Sequence, residues 1–234
     1  GVTDVWAVAS TLCGALMNPP RVLMFCGQFW PMIGGAERQA QKLGMALLRR
    51  GCHVEVLTPQ LEKSWGLEEN IDGLKINRFS LVNLTRNLKG VRGLGVPNTL
   101  LQSFQVQRAV SRCIANFDVL HTHIASPVVA YAMEAAHAHG KMAICKIAAG
   151  GNSSDMISLR RTSLLGPQLI KTLISNMDRW VAISAEIRSD LQAAGVSPDR
   201  IVSIPNGVEV PPLANRGARK TACRFLYLGR LAHT

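Results

Sequence analysis

Short apolar segments alternate with amphipathic stretches along most of this chain, and this alternation constrains the fold more than any other feature. The segment RVLMFC (Arg21–Cys26) is almost continuously hydrophobic, which is typical of a strand buried on both faces. After it, Ala36, Ala40, Leu43 and Leu47 recur at helical spacing. A repeated strand–helix unit of this kind predicts an α/β fold with a doubly wound parallel sheet.

The same pattern recurs towards the end of the chain. Further strands are predicted at HVEVLT (53–58), DGLKINRF (72–79), FDVLHTH (117–123), KMAICKI (141–147), RWVAI (179–183) and RIVSI (200–204). Helices are predicted between them, and one over roughly Thr99–Asn116 is expected to pack through Leu101, Phe104 and Ala109. Ser126 and Ser184 are expected to cap the helices that follow them.

The chain is strongly basic. It has 234 residues, with 26 Lys and Arg against 15 Asp and Glu, which gives a formal net charge of +11. This excess favours an anionic partner such as nucleic acid, anionic lipid or a phosphorylated substrate, although a solvated surface without a partner has the same composition. Nucleic acid is the least favoured partner, because the sequence has no aromatic stacking motif and no basic recognition helix.

Six cysteines are scattered without a Cys-x-x-Cys pair, and several lie in or beside apolar segments. They therefore resemble small buried side chains more than zinc ligands, and we expect no metal site. Cysteines of this kind fit a reducing, cytoplasmic compartment.

The two ends of the chain differ from its middle. Residues 1–18 have an apolar stretch shorter than the roughly 20 residues that span a bilayer, and we treat them as an undetermined leader. Residues 19–208 are expected to form one α/β domain. Residues 209–234 combine a linker with the strand-like CRFLYLGRL (Cys223–Leu231), which predicts the start of a second, incomplete domain. A strand added to the edge of the first sheet is the alternative.

Three predicted loops follow strands and should meet at one edge of the sheet. They are the Gly34–Gly35 turn, the His121–His123 segment and the Gly150–Asp155 loop. Adjacent glycines can supply a positive φ in a tight turn. They can also let an anion approach the N-terminus of the next helix. Because ligands of doubly wound sheets bind at the carboxyl ends of the strands, the convergence of three loops favours the second explanation.

A basic and apolar segment lies in the middle of the chain. Leu84–Leu94 interleaves leucine and valine with Arg86, Lys89 and Arg92. This composition suits contact with an anionic membrane surface, and a solvated exposed loop is the alternative.

Five motifs, in this order and spacing, resemble glycosyltransferase family 4, which has the GT-B architecture of two Rossmann-like domains facing across a cleft. The motifs are PMIGGAER with GCHVEVLTP, then DVLHTH, DRWVAISAEIRSDLQAAGV, RIVSIPNGVEV and FLYLGRL. The resemblance covers about residues 21–231. It implies an N-terminal, acceptor-side domain followed by the first strand of a donor-binding domain.

The resemblance also implies a reaction and its residues. The reaction is a retaining transfer of a sugar from a nucleotide diphosphate donor to a glycan or lipid-linked acceptor, as in polysaccharide biosynthesis, with no cofactor besides the nucleotide sugar. Gly34 and Gly35 would approach the donor diphosphate, His123 would lie near the transferred sugar, and Arg230 would neutralise phosphates. Because His121 and His123 would share one face of a strand, periodicity alone does not choose between them.

The sequence departs from the family pattern at two places. The loop after KMAICKI lacks the histidine of many members and is similar to a subgroup with a lysine and an Asp-ending loop, which makes Lys146, Asn152 and Asp155 further substrate-binding candidates. The Glu-x7-Glu pair of the family occurs nowhere in the chain. We therefore expect this fragment to be inactive, and we expect a cytoplasmic protein, peripheral at the inner face of the membrane.

Two other classes of protein fit parts of the sequence. A nucleotide-dependent oxidoreductase needs G-x-G-x-x-G and an acidic residue after the second strand, whereas here the glycines are adjacent and that strand ends Leu57-Thr58-Pro59. A non-catalytic basic binding module is suggested by charge alone.

Overall fold

The computed structural model describes residues 19–32, 34–88, 93–151 and 165–208, and the structural statements below refer to these ranges. The strands are β1 (Arg21–Cys26), β2 (His53–Gln60), β3 (Glu68–Ile71), β4 (Leu74–Ser80), β5 (Val119–His123), β6 (Met142–Ile147), β7 (Arg179–Ala182) and β8 (Ile201–Ser203). They form one sheet in the order β3-β4-β2-β1-β5-β6-β7-β8. Only the pairing of β3 with β4 is antiparallel.

Helices connect the parallel strands and cover the sheet. They are α1 (Gly35–Leu48), α2 (Leu84–Asn87), α3 (Gly95–Ser111), α4 (Pro127–Ala138), α5 (Gly166–Asn176) and α6 (Ala185–Ala193). On one face of β1, Met24 packs in a cluster with Ala40 of α1. On the other face, Leu23 and Phe25 belong to a larger cluster that includes Ala130 and neighbouring residues of α4. The central strands are therefore buried on both faces, as their continuous hydrophobicity predicted.

The predicted doubly wound α/β fold is confirmed, and the predicted parallel strands are present with bounds shifted by a few residues at most. The sequence reasoning missed β3, because Glu68–Ile71 is a short, polar edge strand without an apolar run. Helix α3 starts at Gly95, four residues before the predicted start, and the chain from Ile114 to Asn116 is a 3₁₀ turn. Cys26, Cys52 and Cys145 are buried, as expected.

One prediction about the packing of α3 is wrong. Phe104 does not face the core, because 60% of the residue is exposed, whereas Val106 and Val110 are fully buried. The spacing of apolar residues in α3 is compatible with two faces, and α4 packs against the face that carries Val106 and Val110.

The ends of several helices follow local rules that the sequence shows. The Ser184 hydroxyl accepts a hydrogen bond from the Ile187 N–H at 3.2 Å and caps α6. Gly51 and Gly140, which follow α1 and α4, have φ of 83° and 66°. Ser126 stands at the predicted cap position of α4, but its side chain makes no capping hydrogen bond.

Several sequence-based predictions lie outside the described residues. These are the leader 1–18, the basic positions Lys89 and Arg92, the candidate site residues Asn152, Asp155 and Arg230, and the linker and strand in 209–234. Among the helices in the described ranges, none is both long and apolar enough to cross a membrane.

Candidate functional site

A pocket of about 290 Å³ opens where β1 and β5 end. Polar groups from four places in the fold converge on it: Gln28 from the loop after β1, Glu37 from α1, His123 from the end of β5 and Ser126 from the start of α4. The remaining lining residues are Cys26, Gly27, Ala36, Ala40 and Ile124. This is the edge of the sheet at which α/β proteins bind ligands.

Glu37 organises the first strand–helix turn. Its carboxylate accepts hydrogen bonds from the Gly34 N–H and from the Gln28 side-chain amide, both at 2.8 Å. Glu37 is only 6% exposed, so the carboxylate is held between the loop after β1 and the start of α1. A Cβ on Gly34 would collide with a Glu37 carboxylate oxygen, whereas a Cβ on Gly35 would meet no atom within 4 Å.

The two glycines therefore have different surroundings. The Gly34 N–H is already donated to Glu37. No acceptor among the described residues takes the N–H groups of Gly35 and Ala36, which lie at the start of α1. Within the described ranges these two groups are therefore unpaired backbone donors, of the kind that bind anionic ligands at helix ends.

The histidines of β5 form a contacting pair. The rings of His121 and His123 lie 4.7 Å apart, on the same face of the strand, as predicted. The Nε2 atom of each ring is buried and has no hydrogen-bond partner in the described structure. His123 lines the pocket, and it lies between Cys26 of β1 and Lys146 of β6 in the sheet register.

Burial keeps this histidine pair neutral. Desolvation, with a smaller contribution from Lys146, lowers the pKa of His121 from 6.5 to about 4. Desolvation also lowers the pKa of His123 well below its ordinary value, and His121 and Lys146 add to the effect. A neutral imidazole can donate through one ring nitrogen and accept through the other, which suits hydrogen bonding to a hydroxyl group.

Lys146 supplies a positive charge beside the pair. Partial burial lowers the pKa of its amine. Its side chain forms no ion pair within the described ranges. A partly buried cation without a counter-ion is costly, and an anionic ligand would offset the cost.

The backbone at the end of β5 is strained. Ile124, which lines the pocket, has φ of 68°, a region that β-branched residues rarely occupy. The Ile124 N–H donates to the Lys146 carbonyl at 2.9 Å and holds this turn against β6. Backbone strain of this kind is concentrated at functional sites in proteins.

The structure brings together some of the sequence-predicted residues. His123 lines the pocket, and Lys146 is its neighbour in the sheet. Gly34 and Gly35 start the helix whose next two residues, Ala36 and Glu37, line the pocket. The roles assigned to these residues stay predictions.

Sequence reasoning missed Gln28, Glu37 and Ser126 as pocket residues. A signal for Glu37 was present, because a glutamate three residues after a helix cap is the second half of a capping box. Nothing in the sequence marks Gln28, whose side-chain amide donates to Glu37 in the pocket. In the part of the chain that the structure describes, no group of three His, Cys, Asp or Glu side chains could hold a metal ion.

The sequence profile of Glycosyltransferase Family 4 matches residues 33–210. This match spans most of the chain, including α1, the histidine strand β5 and the pocket residues after it. The chain belongs to this family. A comparison with curated proteins gives no match.

Solved structures with the same fold are distant in sequence. HepE from Anabaena, solved with UDP and glucose, is 12% identical with a TM-score of 0.52, and the match covers 81% of this chain and 45% of HepE. Sucrose-phosphate synthase from Thermosynechococcus elongatus is 14% identical with a TM-score of 0.53, covering 79% and 48%. UDP-GlcNAc 2-epimerase from Methanocaldococcus jannaschii is 11% identical with a TM-score of 0.52, covering 80% and 45%.

These likenesses establish the fold alone. The described residues have the α/β fold of one half of the GT-B glycosyltransferases, and an epimerase shares it, so the fold does not by itself select a reaction. The present chain spans less than half the length of each of the three proteins.

Proposed function

We propose that the chain forms the acceptor-side part of a retaining glycosyltransferase, which transfers a sugar from a nucleotide diphosphate donor to a hydroxyl group of a glycan or lipid-linked acceptor. Membership of Glycosyltransferase Family 4 supports the reaction class. The fold is shared with HepE, which was solved with UDP and glucose, and this supports a nucleotide-sugar donor.

The observation that carries the proposal is the pocket between the start of α1 and the end of β5. Its polar groups are an amide, a carboxylate, a hydroxyl and a neutral imidazole, from Gln28, Glu37, Ser126 and His123. Such groups hydrogen-bond sugar hydroxyls, whereas a purely apolar pocket would not. The reactive sugar would lie beside His123.

The charges around the pocket suggest where the donor diphosphate lies. At the Gly34 end of the helix, the Glu37 carboxylate repels an anion. This carboxylate already accepts the hydrogen bond of the Gly34 N–H. The N–H groups of Gly35 and Ala36, which have no acceptor among the described residues, and the cation of Lys146 attract an anion. We expect the diphosphate to approach through Gly35, with Arg230 from outside the described residues adding charge. Catalysis would then depend on positioning and on stabilising the leaving diphosphate.

The proposal can be tested through Gly35 without knowing the acceptor. Gly35→Val places side-chain atoms where the diphosphate is expected to approach, in a space that is otherwise open. Calorimetric titrations at millimolar UDP-glucose, UDP-N-acetylglucosamine and GDP-mannose should show binding of at least one of them to the wild-type chain. The variant should bind that ligand at least tenfold more weakly.

Gly95→Val is the matched control. Gly95 also starts a helix, and a Cβ added there also meets no atom within 4 Å, but its helix contributes no residue to the pocket, whereas Ala36 and Glu37, which follow Gly35, line it. This variant should keep the wild-type affinity. Equal affinities of the wild-type and Gly35→Val chains, or an equal loss in both glycine variants, would contradict the proposal.

A further inference from the structure

Two tryptophans lie outside the core, in loops that leave the sheet. The structure describes three of the four tryptophans of the chain, and of these Trp180 is fully buried in the sheet. Trp30, in the loop after β1, is 38% exposed, and Trp65, in the loop between β2 and β3, is half-buried. Met32 and Leu67, each two residues further along the same loops, are exposed. Large apolar side chains that are exposed as a group mark binding surfaces in many proteins.

A buried arginine holds the two loops together. The Arg78 guanidinium donates to the Trp30 carbonyl at 2.6 Å and to the Gly66 carbonyl at 2.7 Å. It also lies 5.6 Å from the centre of the Trp65 ring. The two tryptophans are therefore near neighbours on a surface that is already ordered, and a ligand would not have to order it on binding.

A carboxylate lies next to the tryptophans. Glu69 accepts a hydrogen bond at 3.0 Å from the same Arg78 nitrogen that donates to the Trp30 carbonyl, so these two acceptors are close together. One-third of the Glu69 side chain is exposed, at 33%, so solvent reaches it. A carboxylate has about four acceptor positions, so Glu69 can accept from a ligand while it is paired with Arg78. We call Trp30, Trp65 and Glu69 the tryptophan site.

The tryptophan site lies beside an acidic segment of a basic chain. Residues 61–72 contain Glu62, Glu68, Glu69 and Asp72 but only one basic residue, Lys63. The buried Arg78 offsets this charge only in part. A phosphorylated ligand, a nucleic acid or an anionic lipid would be repelled by the segment, whereas a neutral ligand would not. The surroundings therefore favour a neutral ligand that has both apolar faces and hydroxyl groups.

The tryptophan site is continuous with the pocket. Gln28, which lines the pocket, and Trp30 are two residues apart in one loop, so their Cα atoms are at most about 7 Å apart. The loops that carry Trp30 and Trp65 leave the carboxyl ends of β1 and β2, which is the edge at which the pocket opens. A ligand that extends from the pocket along the Gln28 side would therefore pass over Trp30.

We propose that the tryptophan site is a subsite for a neutral oligosaccharide that extends from the pocket. One face of a sugar ring presents C–H groups, which pack against the electron-rich face of an indole ring. Hydroxyl groups at the edge of the same sugar would donate to the Glu69 carboxylate. The inference rests on the proposed function, because it identifies the acceptor of that reaction as an oligosaccharide and not a single sugar.

The test is calorimetric titration of the full chain with maltohexaose, cellohexaose, laminarihexaose and chitohexaose, without a nucleotide sugar. At least one of these neutral hexasaccharides should bind the wild-type chain at millimolar concentration. Trp30→Ala should bind it at least tenfold more weakly. Trp30→Phe, which keeps an aromatic face, should bind within about threefold of the wild type. Arg78 holds Trp30 through the backbone carbonyl, so both variants keep this bond, and a circular dichroism melt checks their folding.

Phe104→Ala is the matched control. Phe104 is also an exposed aromatic residue, but it lies on α3 and not in the tryptophan site, so this variant should bind as the wild type does. A proton NMR spectrum of the ligand adds a signature of stacking. Sugar protons that lie over an indole ring shift upfield, and this shift should be present with the wild type and Phe104→Ala but absent with Trp30→Ala.

Three outcomes would overturn the inference. The first is that none of the four hexasaccharides binds the wild-type chain. The second is that Trp30→Ala binds as tightly as Phe104→Ala. The third is a dimer in sedimentation velocity that Trp30→Ala converts to monomer, which would make this surface a contact between two copies of the chain.

The outcomes also separate this inference from the proposed function. Binding of a nucleotide sugar that Gly35→Val weakens, without binding of any hexasaccharide, would support the proposed function and overturn the tryptophan site. Binding of a hexasaccharide that Trp30→Ala weakens, without binding of any nucleotide sugar, would leave a glycan-binding surface and contradict the proposed donor site.

Discussion

At the scale of single residues, the site combines a histidine pair that burial keeps neutral with two charged groups, Lys146 and Glu37. His121 and His123 stay neutral because their ring nitrogens are buried, and Lys146 adds a positive charge beside them. Glu37 contributes a buried carboxylate on the other side of the pocket. A negative charge therefore lines the α1 side of the pocket and a positive charge lies on the strand next to His123, which suits a ligand that combines hydroxyl groups with an anionic group.

The histidine pair predicts a specific dependence of stability on pH. Because the pKa of His121 falls to about 4 on folding, the unfolded chain takes up a proton below about pH 6.5 and the folded chain does not. The contribution that the neutral histidines make to the free energy of unfolding is therefore complete above about pH 6.5, and it is lost as the pH falls towards 4. We expect the free energy of unfolding to drop by about 3 kcal/mol over this interval from His121 alone, with a further loss from His123, measured by urea denaturation.

Lys146→Met is the informative variant for this prediction. Removal of the cation should raise the pKa of both histidines, so the loss of stability between pH 6.5 and pH 4 should become smaller. At pH 7 the variant should be more stable by about 1 kcal/mol, because a partly buried charge without a counter-ion is replaced by an apolar side chain. His139→Gln, at an exposed histidine, is the control. An unchanged pH profile in Lys146→Met would contradict this account of the site.

At the scale of elements, the position of the loop after β1 depends on a single side chain of β4. The Arg78 side chain is fully buried and donates to the carbonyls of Gly66 and Trp30 at 2.7 and 2.6 Å and to the Glu69 carboxylate at 3.0 Å. Its guanidinium lies 5.6 Å from the centre of the Trp65 ring. It therefore joins the loop after β1, which carries Gln28, to the loop between β2 and β3.

Arg78→Lys tests this connection. An ammonium group cannot reproduce the planar fork of a guanidinium, so at least one carbonyl would lose its donor. We expect the free energy of unfolding to fall by about 2–3 kcal/mol. Arg50→Lys, at an exposed position after α1, should change it by less than about 0.5 kcal/mol. Equal urea midpoints for the two variants would show that Arg78 does not hold the loops together.

The elements also show what sequence can and cannot predict. The buried strands and their helices were predictable, because a continuous apolar run such as Arg21–Cys26 has few alternatives in a chain of this length. The edge strand Glu68–Ile71 was not, since its pairing with β4 depends on backbone hydrogen bonds and not on a buried face. The exposure of Phe104 was not predictable either, because helical periodicity does not say which apolar side meets the core.

At the scale of the whole molecule, the sequence predicted which edge of the sheet carries the pocket, but not how its residues interact. That edge follows from the order of strands and helices alone. The bond from the Gly34 N–H to Glu37 has the sequence signature of a capping box, but the bond from Gln28 to Glu37 depends on a turn that has no simple signature. The burial of both imidazole nitrogens is likewise a property of the packed sheet.

The central claim is that a nucleotide sugar binds between the start of α1 and the end of β5. The most direct measurement is an NMR titration of the uniformly 15N-labelled wild-type chain with UDP-glucose, UDP-N-acetylglucosamine and GDP-mannose. We predict that one of these ligands shifts the Gly35 amide and the His123 imidazole nitrogens together, with the same saturation curve. If none of them moves these two signals, or if the shifts fall only on residues far from the pocket, the claim is wrong.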